Sequence, residues 1–133
     1  MNEMLKIVLA EDQPAVRRGI RGLLEDEPDF EITGEAENGA EAVEVTDRLK
    51  PDILVTDIRM PYLDGIQVTE IVARSCPSCR VIILSMYGGK SYVEAAVRAG
   101  ACGYVLKKFS ADGLPEAIRT VGAGGSYFRY LNT

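Results

Sequence analysis

Residues 53–61 read ILVTDIRMP, and Asp57 within this stretch is the most informative residue of the chain. Four residues of buried-strand character, Ile53–Thr56, end on Asp57, and a turn follows from Pro61. A carboxylate at the carboxyl end of an apolar strand faces the crevice in which open α/β sheets bind their ligands. The stretch therefore predicts a buried strand of an α/β sheet with a functional aspartate at its end.

Three other apolar runs end on a polar side chain in the same way. They are Leu5–Ala10 before Glu11 and Asp12, Val81–Leu84 before Ser85, and Tyr104–Leu106 before Lys107. If these strands lie parallel and side by side, three carboxylates, a hydroxyl and an ammonium converge on one edge of the sheet. Such a set can hold a divalent cation and a phosphoryl group.

The fold class follows from the alternation of apolar strands with amphipathic stretches, which is typical of a doubly wound α/β protein with a parallel sheet. The predicted strands are Leu5–Ala10, a less buried one around Phe30 and Ile32, Ile53–Asp57, Val81–Ser85 and Gly103–Lys107. The predicted helices begin with Pro14 at the first position or with a cap at Asn38, Asp64, Ser91 or Ser110, and their inner faces include Ile71 and Val97. We expect one domain over residues 1–123 and a C-terminal tail or linker stub over residues 124–133.

Composition excludes several function classes. Lys and Arg number 15 against 20 Asp and Glu, a net charge of −5, so the segment lacks the basic surface of a nucleic-acid binder. No run approaches the roughly 18 apolar residues of a membrane span, which predicts a cytoplasmic protein without membrane contact. The chain has no histidine, so the usual triads and the usual zinc ligand are ruled out.

Three cysteines argue against a disulfide framework. Cys76 and Cys79 are spaced like a redox pair, but such pairs usually stand between a strand and the following helix, where the helix dipole lowers a thiol pKa. Here the order is helix and then strand. The prediction for both is therefore a structural or incidental role.

The residues at the strand ends resemble the receiver domain of bacterial two-component response regulators. The matching signatures are Glu11-Asp12, Asp57 with Met60-Pro61 and Asp64-Gly65, Ser85, and Tyr104–Lys107. Two further stretches, Leu84–Tyr87 and Ala123–Tyr127, are most similar to the NarL/FixJ subfamily, whose members usually carry a helix-turn-helix DNA-binding domain after a linker. The resemblance implies strand order 2-1-3-4-5 with five flanking helices. It leaves open whether the chain is truncated or acts alone.

The resemblance also implies a chemistry for the strand ends. Asp12 and Asp57 would be neighbours, and two carboxylates at ~4 Å repel by about 4 kcal/mol at an effective dielectric of ~20. A divalent cation relieves this repulsion, and oxygen ligands favour Mg²⁺ over Zn²⁺. By the resemblance, Asp12 and Asp57 would bind the ion directly, Glu11 through water and Arg59 through its backbone carbonyl.

Asp57 would then accept a phosphoryl group from a sensor histidine kinase, with Lys107 neutralising the phosphoryl oxygens. Ser85 and Tyr104 would be the switch residues that alter the surface of the fourth helix, fifth strand and fifth helix, with a phosphorylation-dependent homodimer and a transcriptional output as consequences. The chain would not be an enzyme beyond its own phosphorylation and slow dephosphorylation.

Two alternatives share parts of this pattern. A hydrolase of the haloacid dehalogenase type also uses a strand-end aspartate, but it has a second aspartate two residues on, where this chain has Arg59. A flavodoxin-like cofactor binder has a phosphate loop rich in Ser, Thr and Gly after the first strand, where this chain has residues 11–14, EDQP.

Overall fold

The computed structural model describes residues 4–128, which form a parallel five-stranded sheet of order β2-β1-β3-β4-β5. The strands are β1 Leu5–Ala10, β2 Phe30–Ala36, β3 Ile53–Thr56, β4 Arg80–Ser85 and β5 Gly103–Leu106. The helices are α1 Pro14–Glu25, α2 Gly39–Leu49, α3 Gly65–Ser75, α4 Lys90–Ala99 and α5 Ser110–Gly122. This confirms the predicted fold class and strand order.

Helices cover both faces of the sheet because the strands are apolar on both sides. In β1, Ile7 and Leu9 belong to the core beneath α1 and α5, whereas Val8 and Ala10 belong to the core beneath α2, α3 and α4. Alternate residues of one strand thus serve two separate cores. Within residues 4–128, each helix is too short or too polar to cross a lipid bilayer.

The register of the central strands sets the position of the site. Ala10 of β1 pairs with Thr56 of β3, and the Asp57 amide donates to the Ala10 carbonyl oxygen at 3.1 Å. The loops that follow β1 and β3 therefore begin side by side at the same edge of the sheet. Gly65 at the start of α3 lies against this edge, because a Cβ there would stand 2.1 Å from the Asp57 carbonyl oxygen.

Two predicted helix caps are wrong. The helix α4 begins at Lys90 after Gly89, whose φ of 112° favours glycine, so Ser91 lies inside the helix. A 3-10 turn over Lys107–Phe109 leads directly into α5, so Ser110 is a helical residue and the helix start has no side-chain cap. Asn38 and Asp64 do cap their helices, each accepting a hydrogen bond from a backbone amide three residues on.

Two residues predicted to face the core are exposed instead. Ile71 is 36% exposed and Val97 is 50% exposed. In α3, Val68 and Val72 point into the core, and Ile71 precedes Val72 by about 100° around the helix axis. Because Ile71 and Val72 are adjacent apolar residues, the sequence does not show which of them the helix turns towards the core.

The segment predicted to be a tail contains a buried residue. Tyr127 is 3% exposed and forms a parallel bridge with Gly103 of β5. Residues 129–133 of the same prediction lie outside the described residues, and the domain boundary at residue 123 stays a prediction.

Candidate functional site

The predicted acidic residues meet at the carboxyl edge of the sheet. Glu11, Asp12 and Asp57 each offer a carboxylate oxygen, and these atoms all lie within 4.8 Å of one another. Glu11 and Asp12 follow β1 directly and Asp57 follows β3, so the adjacency of the two strands brings the acids together. The arrangement concentrates negative charge at one edge.

Lys107 lies between two of these acids. Its ammonium nitrogen is 2.7 Å from Glu11 Oε1 and 2.9 Å from Asp57 Oδ2, and its side chain is 19% exposed. Burial alone would lower the pKa of Lys107, but the hydrogen bonds to Glu11 and Asp57 outweigh it and the net effect raises the pKa. The lysine is therefore cationic at neutral pH and holds the two carboxylates together.

Glu11 is almost fully buried, unlike the other two acids. Burial raises the pKa of its carboxyl group, while the hydrogen bonds from Lys107 and from the Gln13 backbone amide act in the opposite direction. The Gln13 amide donates to Glu11 Oε2 at 3.1 Å. Both carboxylate oxygens of Glu11 are thus fixed by hydrogen bonds.

Asp57 is held at both oxygens as well. The Ile58 backbone amide donates to Oδ1 at 2.7 Å, and Lys107 donates to Oδ2 at 2.9 Å. The carboxylate remains partly exposed, so a small ligand can approach it. A carboxylate that is held in place and partly open to solvent is positioned to act as a nucleophile.

Ser85 and Tyr104 are connected through Tyr87. The Tyr87 backbone amide donates to Ser85 Oγ at 3.0 Å, and the Tyr104 hydroxyl donates to the Tyr87 carbonyl oxygen. Both Ser85 and Tyr104 are completely buried, so the Tyr104 ring is packed inward in this structure. Burial raises the pKa of the Tyr104 hydroxyl, and the Ser85 hydroxyl moderates the effect.

Arg59 makes a contact that the sequence did not suggest. Its guanidinium carbon lies 4.7 Å from the centre of the Tyr87 ring, and Tyr87 stacks on Tyr92 with ring centres 5.5 Å apart. The three residues come from two different loops and a helix, and no sequence spacing predicts that they meet. The role of the Arg59 backbone carbonyl as a metal ligand stays a prediction.

The donor set of this site fits a magnesium ion. Glu11, Asp12 and Asp57 bring three carboxylates, against the single ammonium of Lys107. Hard carboxylate oxygens in this number are the ligands that Mg²⁺ uses in proteins. A divalent cation would offset the negative charge that Lys107 leaves unbalanced.

The two cysteines with redox-pair spacing lie away from this chemistry. Cys76 and Cys79 are buried and unpaired, and Cys76 packs in the core with Val81 of β4. Burial raises the pKa of the Cys79 thiol to about 12, so the thiol stays protonated and unreactive at neutral pH. These observations favour the structural role.

The fold and the site together define a class of doubly wound α/β protein with an acidic, lysine-bridged pocket at the carboxyl edge of its sheet. The model of the response regulator receiver domain family matches residues 7–119. The chain belongs to this family.

Relatives agree with the subfamily that the sequence resembles. The transcriptional regulatory protein DegU of Brevibacillus brevis is 37% identical over 123 residues, which cover 92% of this chain and 52% of DegU. A LuxR-family two-component response regulator from Aurantimonas sp. SI85-9A1 has a TM-score of 0.90 at 33% identity, with 94% of this chain and 89% of that chain covered. The receiver domain of the putative response regulator NarL from Mycobacterium tuberculosis has a TM-score of 0.87 at 32% identity, covering 92% of this chain and 98% of that one. This chain spans about half the length of DegU and of the transcriptional regulatory protein LnrK of Bacillus subtilis.

Proposed function

We propose that this chain accepts a phosphoryl group on Asp57 from a sensor histidine kinase, with Mg²⁺ bound at the acidic edge. The observation that supports this most directly is the position of Lys107, 2.9 Å from Asp57 and 2.7 Å from Glu11. A cation beside the nucleophile lets an anionic donor approach an anionic carboxylate. The proposal extends the family membership to the chemistry of this chain.

The transfer needs little from the protein beyond positioning and charge. A bond forms between an Asp57 carboxylate oxygen and phosphorus while the bond from phosphorus to the donor's imidazole nitrogen breaks, and the imidazole takes up a proton from solvent. Lys107 is placed to neutralise charge on the phosphoryl oxygens during this exchange. The Ile58 amide keeps the Asp57 carboxylate oriented throughout.

The magnesium site would use the residues that meet at this edge. Asp12 and Asp57 would bind the ion directly, Glu11 through water, and Arg59 through its backbone carbonyl. The ion supplies charge neutralisation of the phosphoryl group when it is bound. Beyond its own phosphorylation and slow dephosphorylation, we propose no enzymatic activity.

The signal would leave the site through Ser85 and Tyr104. In the unphosphorylated structure, the Ser85 hydroxyl oxygen accepts a hydrogen bond from the Tyr87 backbone amide. A phosphoryl group on Asp57 would offer acceptor oxygens to which this hydroxyl can donate. Movement of Ser85 towards Asp57 would disturb the Tyr87 backbone, whose carbonyl oxygen accepts a hydrogen bond from the Tyr104 hydroxyl. As a consequence, the populations of the conformations that the surface of α4, β5 and α5 adopts would shift.

The output would be transcription, as in the regulatory protein DegU. DNA contact would come through a C-terminal domain that lies outside this chain, in a homodimer that phosphorylation favours. The net charge of −5 makes DNA binding by this segment itself unfavourable. We place the activity in the cytoplasm, where histidine kinases present their phosphohistidine.

Phosphoryl transfer from acetyl phosphate in the presence of Mg²⁺ tests the proposal. Intact-protein mass spectrometry should show one added phosphoryl group that is labile to base, and Asp57→Asn should abolish it because the amide is not a nucleophile. Asp47→Asn is the matched control, because Asp47 is an exposed aspartate on α2 and should label like the wild type.

Two outcomes contradict the proposal. Stoichiometric labelling of Asp57→Asn would point to another acceptor. Continuous release of inorganic phosphate without an accumulated acyl phosphate would indicate a hydrolase of the haloacid dehalogenase type instead.

A further inference from the structure

We propose that Arg17 is a positioning residue for the acidic edge: its guanidinium fixes the peptide group between Glu11 and Asp12, and so aims the Asp12 carboxylate at the cation. The inference rests on the proposed magnesium site. It concerns a residue of α1 that the sequence did not single out.

The guanidinium of Arg17 is held at two of its nitrogens. Nη1 donates to the Glu11 backbone carbonyl oxygen at 2.7 Å, and Nε donates to Glu35 Oε1 at 3.0 Å. The Arg17 side chain is 18% exposed, and the other oxygen of Glu35 is paired with Arg21. Glu35 belongs to β2, so the sheet itself orients the arginine.

Asp12 depends on this contact more than Glu11 does. The Glu11 backbone amide donates a hydrogen bond to the Ala36 carbonyl oxygen. Both of its carboxylate oxygens also accept hydrogen bonds, one from Gln13 and one from Lys107. Within residues 4–128, the hydrogen bonds to carboxylate oxygens at this edge go to Glu11 and Asp57, and Asp12 receives none of them. Within the described residues, its direction therefore depends on the backbone that carries it.

The carbonyl that Arg17 holds belongs to the peptide that joins Glu11 to Asp12. The strand β1 ends at Ala10, so this peptide lies beyond the regular part of the strand. Rotation of the peptide plane would swing the Asp12 side chain while leaving Glu11 on Lys107. A charged donor on the carbonyl oxygen opposes that rotation.

Positioning and simple charge predict opposite effects of removing Arg17. Loss of a positive charge near the acids would strengthen binding of a cation. Loss of the fixed peptide would weaken it, and residues that orient metal ligands typically contribute about 10-fold to 100-fold in affinity. Because Arg17 is already paired with Glu35, which it shares with Arg21, we expect the positioning effect to dominate, at about tenfold.

The experiment is a titration with Mg²⁺ alone, followed by the amide NMR shifts of Gln13 and Ile58. Arg17→Gln should bind Mg²⁺ about tenfold more weakly than the wild type. Arg21→Gln is the matched control, because it removes the same charge from the same Glu35 without touching the loop, and its affinity should stay within about twofold.

A second variant and a second readout separate positioning from a general loss of stability. Arg17→Lys keeps the charge but lacks the planar fork that reaches Glu11 and Glu35 together, so it should also bind Mg²⁺ more weakly. The rate of labelling by acetyl phosphate should fall in Arg17→Gln at limiting Mg²⁺ and recover at saturating Mg²⁺. A purely structural role would not be rescued in this way.

The possible failures are distinguishable. Unchanged or tighter Mg²⁺ binding by Arg17→Gln and Arg17→Lys, with a wild type that binds and labels normally, would overturn the role of Arg17 alone. A wild type that neither binds Mg²⁺ nor labels on Asp57 would overturn the proposed function, and the inference with it.

Discussion

At the scale of single residues, Lys107 links two carboxylates that would otherwise repel each other. Lys107→Met should lower the free energy of unfolding at neutral pH without Mg²⁺ by about 3 kcal/mol, the low end for removing one partner of a buried ion pair. The low end applies because the lysine side chain is 19% exposed. Urea unfolding followed by circular dichroism measures this difference.

The neighbouring Lys108 provides the control. It is exposed and lies over the Phe109 ring at 5.2 Å, so Lys108→Met should cost less than about 1 kcal/mol. Adding Mg²⁺ should reduce the deficit of Lys107→Met, since the ion offsets the acids that the lysine leaves behind. Equal losses in the two variants would mean that the contacts of Lys107 add no stability.

Residues differ in how far the sequence predicts them. Asp57, Glu11 and Lys107 were found because each directly follows an apolar strand, and parallel strands end at the same edge of the sheet. Arg17 was not found from the sequence, because its contact with the Glu11 carbonyl oxygen depends on the orientation of α1 over the sheet. The contact of Arg59 with Tyr87 likewise depends on the path of two loops.

At the scale of elements, Arg119 ties α5 to the turn between α1 and β2. Its guanidinium donates to Asp29 at 2.9 Å, pairs with Glu27, and lies 4.7 Å from the centre of the Phe30 ring. Arg119→Ala should lower the free energy of unfolding by about 1 kcal/mol at neutral pH, because solvent screens the partly exposed pairs. Urea unfolding at several pH values measures it.

The same contact predicts a pH dependence. The hydrogen bond from Arg119 lowers the pKa of Asp29 below its ordinary value. A carboxyl group whose folded pKa lies below its unfolded pKa of ~3.9 stabilises the fold above that value, and the contribution is lost as the pH falls through the folded pKa. The difference between wild type and Arg119→Ala should therefore shrink in acid.

Arg98 of α4 offers a weaker pair for comparison, 4.0 Å from Glu94 and largely exposed. Arg98→Ala should change stability by less than about 0.5 kcal/mol at every pH. An acid-independent loss in Arg119→Ala would assign its effect to packing on Phe30 instead of to Asp29.

Elements also mark where sequence patterns lose precision. Periodicity located all five helices, but the starts of α4 and α5 depend on Gly89 and on the 3-10 turn after β5. A serine near a helix start resembles a cap, and only the backbone path decides whether the chain is already helical at that residue. The strands were easier to locate from the sequence. A strand that is buried on both faces of a sheet reads as a continuous apolar run, so its position does not depend on which residues face inward.

At the scale of the whole molecule, the alternation of elements predicts the edge that carries the acids, and the family resemblance predicts the order of the strands. Neither predicts how the β5 edge is covered. The Tyr104 amide donates to the Tyr127 carbonyl oxygen at 2.8 Å, and the Tyr127 amide donates to the Cys102 carbonyl oxygen at 3.0 Å. The residues after α5 thus continue the sheet beyond β5. In the sequence, the glycines at 122, 124 and 125 indicate the end of α5, and no local pattern predicts that the chain then returns to the sheet.

This return gives Tyr104, the proposed switch residue, a backbone hydrogen-bond partner in the segment after α5. Tyr127 packs in the core with Val105 and Val121, so Tyr127→Ala should cost about 3 kcal/mol in the free energy of unfolding. Ser126→Ala, a substitution at the exposed neighbour, should change it by less than about 0.5 kcal/mol. Amide exchange at Tyr104 should accelerate in Tyr127→Ala, because the carbonyl that protects this amide loses its anchoring ring. Equal stability and equal exchange in the two variants would show that the segment after α5 is a tail.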